Sequence, residues 1–96
     1  MKFEWDENKK ASNLAKHGVD FEDAAKVFYD DNRIESLDDR EDYGEDRIRV
    51  IGTIRPGLLS SKLVVLLIYT DRDGNIRIIS ARRATREEKE EYYGNR

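Results

Sequence analysis

The chain has 96 residues, of which 38% are apolar and 41% charged, with a formal net charge of −3. That is enough for one domain over residues 1–96 with a modest core and too little for a deep cleft between domains, so any ligand is expected in a surface groove. With no cysteine and one histidine, a disulfide framework, a thiolate metal site and a histidine-rich cage all lack ligands, and neither metal nor cofactor is expected.

Phe3 and Trp5 alternate with Glu4 as in a short strand, and Met1–Asp6 do not read as a basic segment followed by an apolar one, so a secretion signal is not expected there. Asp6 offers a side-chain oxygen to the free amides of a helix with Ala11, Leu14 and Ala15 on one stripe. Gly18 ends it, because glycine takes the left-handed position after a helix without a Cβ penalty. A second helix follows at once: Asp20 caps it, Asp23 sits at the third position, Val19 is placed to staple Ala24, and Phe21, Ala24, Ala25 and Phe28 form its apolar stripe.

Arg33–Asp46 is a charged connection, in which Ile34 and Leu37 suffice for no more than a short edge strand. The period then drops to two: Ile48, Val50 and Ile54 point one way and Arg47, Arg49 and Thr53 the other. Pro56-Gly57 marks a turn. Leu63–Thr70 is apolar on both faces and is expected at the centre of a sheet. Its apolar run, ending at Tyr69, is far too short to span a bilayer, so the expectation is a soluble cytoplasmic protein with no membrane partner. Asp73-Gly74 suits a hairpin turn into Asn75–Arg82, and Thr85-Arg86-Glu87-Glu88 is a capping box opening a last helix to about Tyr93. The fold class is therefore α+β: β-α-α, an antiparallel sheet of three to four strands and a C-terminal helix. The first two helices are expected on one sheet face, leaving the other for a ligand or partner.

The charge is unevenly distributed. Residues 1–19 sum to +1, residues 20–46 to −9 and residues 47–96 to +5. Such asymmetry suits a basic half that faces a polyanion and an acidic segment that is solvated or meets a basic partner. Within the basic half, Arg77, Arg82 and Arg83 lie on or just beyond a strand, and a guanidinium is the side chain best shaped to grip phosphate or carboxylate. Period two puts Arg77 and Arg83 on one side of that strand, sharing an exposed face with Arg47 or Arg49 as a phosphate patch. Arg82 falls on the side of Ile76 and Ile78, at the rim, where catalysis competes with a structural ion pair to a carboxylate such as Asp6.

Three blocks, FEWDENKKASNLAKHGVDFEDA (Phe3–Ala24), DRIRVIG (Asp46–Gly52) and RIISARRATREEKEEY (Arg77–Tyr92), together resemble the BrnT toxins of type II toxin–antitoxin systems. The resemblance implies a small RelE-like fold, metal-independent RNA cleavage, and a BrnA-type antitoxin that neutralises the toxin in a hetero-oligomer. It also favours a functional role for Arg47 and Arg82, which fall in the second and third blocks.

Metal-free RNA cleavage needs a base for the 2′-hydroxyl, an acid for the leaving oxygen and cations around the phosphorane. Arg47, Arg82 and His17 are the candidate catalytic residues; Arg77, Arg83, Arg49 and Lys16 are the candidate phosphate ligands. His17, in the last turn of the first helix, equally suits a plain role as a cation at the helix end, and Lys16 equally suits a solvated surface. Trp5 and Tyr69 could stack on bases, but aromatics so placed more often pack in a core. Two functions stay open: an endoribonuclease toxin, or a non-catalytic module whose arginines and acidic segment hold a protein partner.

Overall fold

The structure, a computed structural model, describes residues 1–57 and 61–94. In chain order it forms β1 (Phe3–Glu4), α1 (Glu7–His17), α2 (Phe21–Ala24, continuing as a 3-10 helix over Ala25–Tyr29), β2 (Ile34–Leu37), β3 (Ile48–Ile54), β4 (Leu63–Arg72), β5 (Asn75–Arg83) and α3 (Arg86–Gly94). The strands make one sheet in the order β1-β5-β4-β3-β2. β2 to β5 are antiparallel, and the two-residue β1 adds to β5 in parallel. The class is α+β. No helix among the described residues is long and apolar enough to cross a membrane.

Local chemistry sets the element ends. Asp6 Oδ1 accepts from the amides of Asn8 (2.8 Å) and Lys9 (3.2 Å), opening α1, and Gly18 closes it at φ 71°. The β4–β5 turn has positive φ at both central residues, Asp73 (55°) and Gly74 (84°), the twist that suits a two-residue hairpin. β4 is central and buried on both faces, as its unbroken apolar run predicts.

One face of the sheet packs under α2 and its 3-10 extension. Phe21, Ala24, Val27 and Phe28 meet Val50, Ile54, Val65, Leu67, Ile78 and Ala81, with Trp5 and Tyr69 partly buried at the margin. Gly52 makes the close approach possible, since a Cβ there would lie 2.7 Å from Val27 Cγ2. The opposite face is not left open. α3 lies across part of it, and Tyr92, 2% exposed, packs against Ile51, Val64, Leu66, Ile68 and Ala84.

α1 departs from its expected packing. Ala11, Leu14 and Ala15 face solvent, and the buried residue is Asn13. β1 stops after Glu4, which pairs with Arg77, so the rest of that β5 edge has no strand beside it. Asn13 takes the place of one: its Nδ2 donates to Ala81 O at 2.7 Å and to Val19 O at 3.0 Å, and its Oδ1 accepts from Ala81 N at 3.2 Å. α1 therefore meets an edge with polar groups to satisfy, and an amide serves it better than an apolar stripe.

Candidate phosphate-binding face

Residues paired directly across neighbouring strands project from the same face, so the register assigns each arginine a side. On the face that carries α3 are the rows Ser36, Arg49, Ile68, Ser80 and Ile34, Ile51, Leu66, Arg82, and the pair Thr70, Arg77. Arg47 lies just before β3, but its carbonyl accepts from Asp38 N at 2.7 Å and so continues the β2–β3 pairing, which puts Arg47 on the side of Arg49 by alternation. Four arginines, Arg47, Arg49, Arg77 and Arg82, thus share the α3 face.

This corrects the expected division within β5. A bulge shifts the register so that Ile68 pairs with Ser80 but Tyr69 with Ile78, leaving Ile79 as the extra residue. Alternation is out of phase from there on. Arg82 therefore lies opposite to the side of Ile76 and Ile78 and joins Arg77, while Arg83 pairs with Val65 and points to the α2 side. Arg77 and Arg83 do not share a face.

Each of the four arginines is bound to carboxylate. Arg82 Nη1 and Nη2 donate to Glu88 Oε1 and Oε2 at 2.8 and 2.9 Å, replacing the expected partner Asp6, whose carboxylate caps α1. Arg49 lies 3.7 Å from Glu88 and 3.4 Å from Glu91, and also donates to Ser36 Oγ at 3.2 Å. Arg77 pairs with Glu4 at 2.9 Å. Arg47 contacts Glu45 at 3.4 Å and lies over the Tyr43 ring, 4.0 Å from its centroid. The side chains of Arg47, Arg49, Arg77 and Arg82 stay 25, 25, 26 and 33% exposed, so none is fully buried. A groove of about 350 Å³ lined by Arg49, Thr85, Glu87, Glu88 and Glu91 opens beside them.

Glu88 is the junction of this face. Its carboxylate completes the predicted capping box, accepting from Thr85 N at 2.8 Å, while Glu88 N donates to Thr85 Oγ1 at 3.2 Å. Burial pushes its carboxyl pKa up, but the hydrogen bonds from Arg82 and Thr85 outweigh that and hold it below the ordinary value. The far end of α3 is tied by Tyr92, whose hydroxyl donates to Asp30 Oδ2 at 2.6 Å. The same oxygen accepts from Thr53 N (2.8 Å) and Thr53 Oγ1 (2.9 Å). Burial raises the Asp30 pKa, and these bonds together with that from Asn32 N bring it below the ordinary carboxylate value.

His17 and Lys16 end α1, and among the described residues no hydrogen bond or ion pair joins either to the four arginines. Trp5 packs on Phe21 and Tyr69 on Phe28, with centroids 6.2 and 5.4 Å apart, so both serve the core. Burial and the Glu35 carboxylate push the Tyr69 hydroxyl up to about 12, which keeps it protonated at neutral pH and makes it a weaker acid than an ordinary tyrosine. A larger groove of about 610 Å³ holds Lys26, Arg55 and Lys62, but Asp30 and Asp31 offset these cations. Glu88 and Glu91, which pair with the arginines, are not among the expected site residues; the capping box marks Glu88 only as a helix cap.

The family model for the BrnT ribonuclease toxin of type II toxin–antitoxin systems matches residues 5–88, from Trp5 through the α1 cap, the arginine strands and Glu88. The chain belongs to the BrnT family. That family is one of ribonuclease toxins counteracted by a protein antitoxin. Comparison with curated proteins gives no match. The match takes in all four arginines of the α3 face and both partners of the Arg82–Glu88 pair, while Glu4 and Glu91, which pair with Arg77 and Arg49, lie outside the matched residues.

Proposed function

We propose that this chain is a metal-independent endoribonuclease toxin, neutralised by a BrnA-type antitoxin, and that the arginine face holds the scissile phosphate. In the proposed reaction the 2′-hydroxyl attacks the neighbouring phosphorus and gives up its proton to a base. The 5′-oxygen leaves with a proton from an acid, giving a 2′,3′-cyclic phosphate and a 5′-hydroxyl. The phosphorane gathers negative charge on oxygens that accept from guanidinium donors, and this is the contribution assigned to Arg82 and Arg49, with Arg47 and Arg77 binding flanking phosphates.

The observation that carries this reading is the gathering of Arg47, Arg49, Arg77 and Arg82 on one sheet face in a chain of a ribonuclease toxin family. The test is direct. The purified protein is expected to cut single-stranded RNA in EDTA, and its expression alone to arrest growth until the neighbouring open reading frame is co-expressed.

A second reading has one specific observation in its favour: all four guanidiniums are bound to carboxylates of the chain itself. In a non-catalytic interaction module those pairs are simply structural. Intact RNA at every protein concentration, with growth unimpaired, would favour that module.

A further inference from the structure

We propose that α3 is an acidic strap whose Glu88 and Glu91 carboxylates occupy the phosphate positions of Arg49 and Arg82 in the free protein, so that RNA binds by displacing it. This rests on the phosphate-binding reading above and adds a regulation of that face.

The geometry at Arg82 is that of an anion-binding fork. Glu88 presents two oxygens to Nη1 and Nη2 at 2.8 and 2.9 Å, as the two non-bridging oxygens of a phosphodiester would. Arg49 lies within reach of both Glu88 and Glu91, so the carboxylates of one helix neutralise two guanidiniums contributed by two different strands. The other two pairs differ in kind. Glu4 is in β1 and Glu45 in the connection before β3, and neither leaves with α3.

α3 is built to come away. Its nine residues, REEKEEYYG, are too few to be stable as an isolated helix, and Tyr92 is its one buried residue. Its hold on the sheet face includes Tyr92, with its hydroxyl on Asp30, and the ion pairs that RNA would contest. Only Ala84 and Thr85 separate it from β5, so a rotation there lifts both glutamates together.

Binding of a short labelled single-stranded RNA to the full chain tests this. Glu88→Gln/Glu91→Gln keeps an oxygen for the Thr85 cap but removes both charges, and is expected to bind about tenfold more tightly, an effect lost when Arg49→Ala is added. The control Glu87→Gln/Glu90→Gln removes equal charge from the same helix at positions that form no ion pair with Arg49 or Arg82, Glu90 pairing with Arg86 instead, and is expected to change affinity far less. Hydrogen exchange of the α3 amides is expected to speed up when RNA is added. The strap is overturned, and phosphate binding retained, by Arg49-dependent RNA binding that the Glu88/Glu91 variant leaves unchanged or that the control raises equally. RNA binding that ignores both Arg49 and Arg82, or no binding by any form, overturns both.

Discussion

Arg82 and Glu88 join the end of β5 to the start of α3 through two parallel hydrogen bonds of 2.8 and 2.9 Å, and one Glu88 oxygen also caps the helix through Thr85. The pair therefore serves the fold while occupying the donors that phosphate chemistry would use. Removing Arg82 alone leaves a carboxylate that is 14% exposed with only the Thr85 amide and the more distant Arg49 to hold its charge. A functional test of Arg82 has to remove the Glu88 charge with it, so that loss of activity is not loss of fold.

Asn13 stands in for a missing strand, and its loss should show in stability. Asn13→Ala leaves Ala81 N–H and C=O unpartnered at a buried edge and is expected to cost about 2–4 kcal/mol, measured by denaturant unfolding. Leu14→Ala, on the exposed side of the same helix, is expected to change stability by less than about 0.5 kcal/mol.

Gly52 is required by contact rather than by backbone conformation. Gly52→Ala places a methyl 2.7 Å from Val27 Cγ2, and an overpacked core is expected to lose about 1–3 kcal/mol. Adding Val27→Ala should make the second change cheaper than it is alone, and a double-mutant cycle with a clear coupling energy is the expected result.

Acid should loosen both tethers of α3. Asp30 and Glu88 have folded-state pKa values below their ordinary 3.8 and 4.5, so the unfolded chain binds protons first as pH falls. Their stabilisation is complete above those ordinary values and is lost as pH drops through the depressed ones. The denaturant midpoint is expected to fall below about pH 4.5. Asp38, held low by Arg40, titrates in the same direction, so the comparison that isolates Asp30 is a shallower acid slope in Asp30→Asn.

Much of the fold was legible because its signals are local. Asp6 and Gly18 bound α1, Asp73-Gly74 set a hairpin, Thr85 and Glu88 made a capping box, and the apolar run of β4 placed it centrally. What failed was non-local. The stripe of Ala11, Leu14 and Ala15 suited a helix on an apolar face, and nothing in the sequence told that α1 meets a strand edge through Asn13. In β5, Ser80 and Arg82 at positions extrapolated to the core side were the trace of a bulge, and strict alternation read through it put Arg82 and Arg83 on the wrong faces. The arginines could be picked out by type and block; their carboxylate partners depended on where α3 lands.

The most direct measurement is cleavage of single-stranded RNA in EDTA by the intact chain and by Arg82→Ala/Glu88→Gln, with the fold of each checked by thermal melting. The account requires the intact chain to cut and the folded variant to lose that cutting. RNA left whole by the intact chain at every concentration, or cut equally well by the variant, would contradict it.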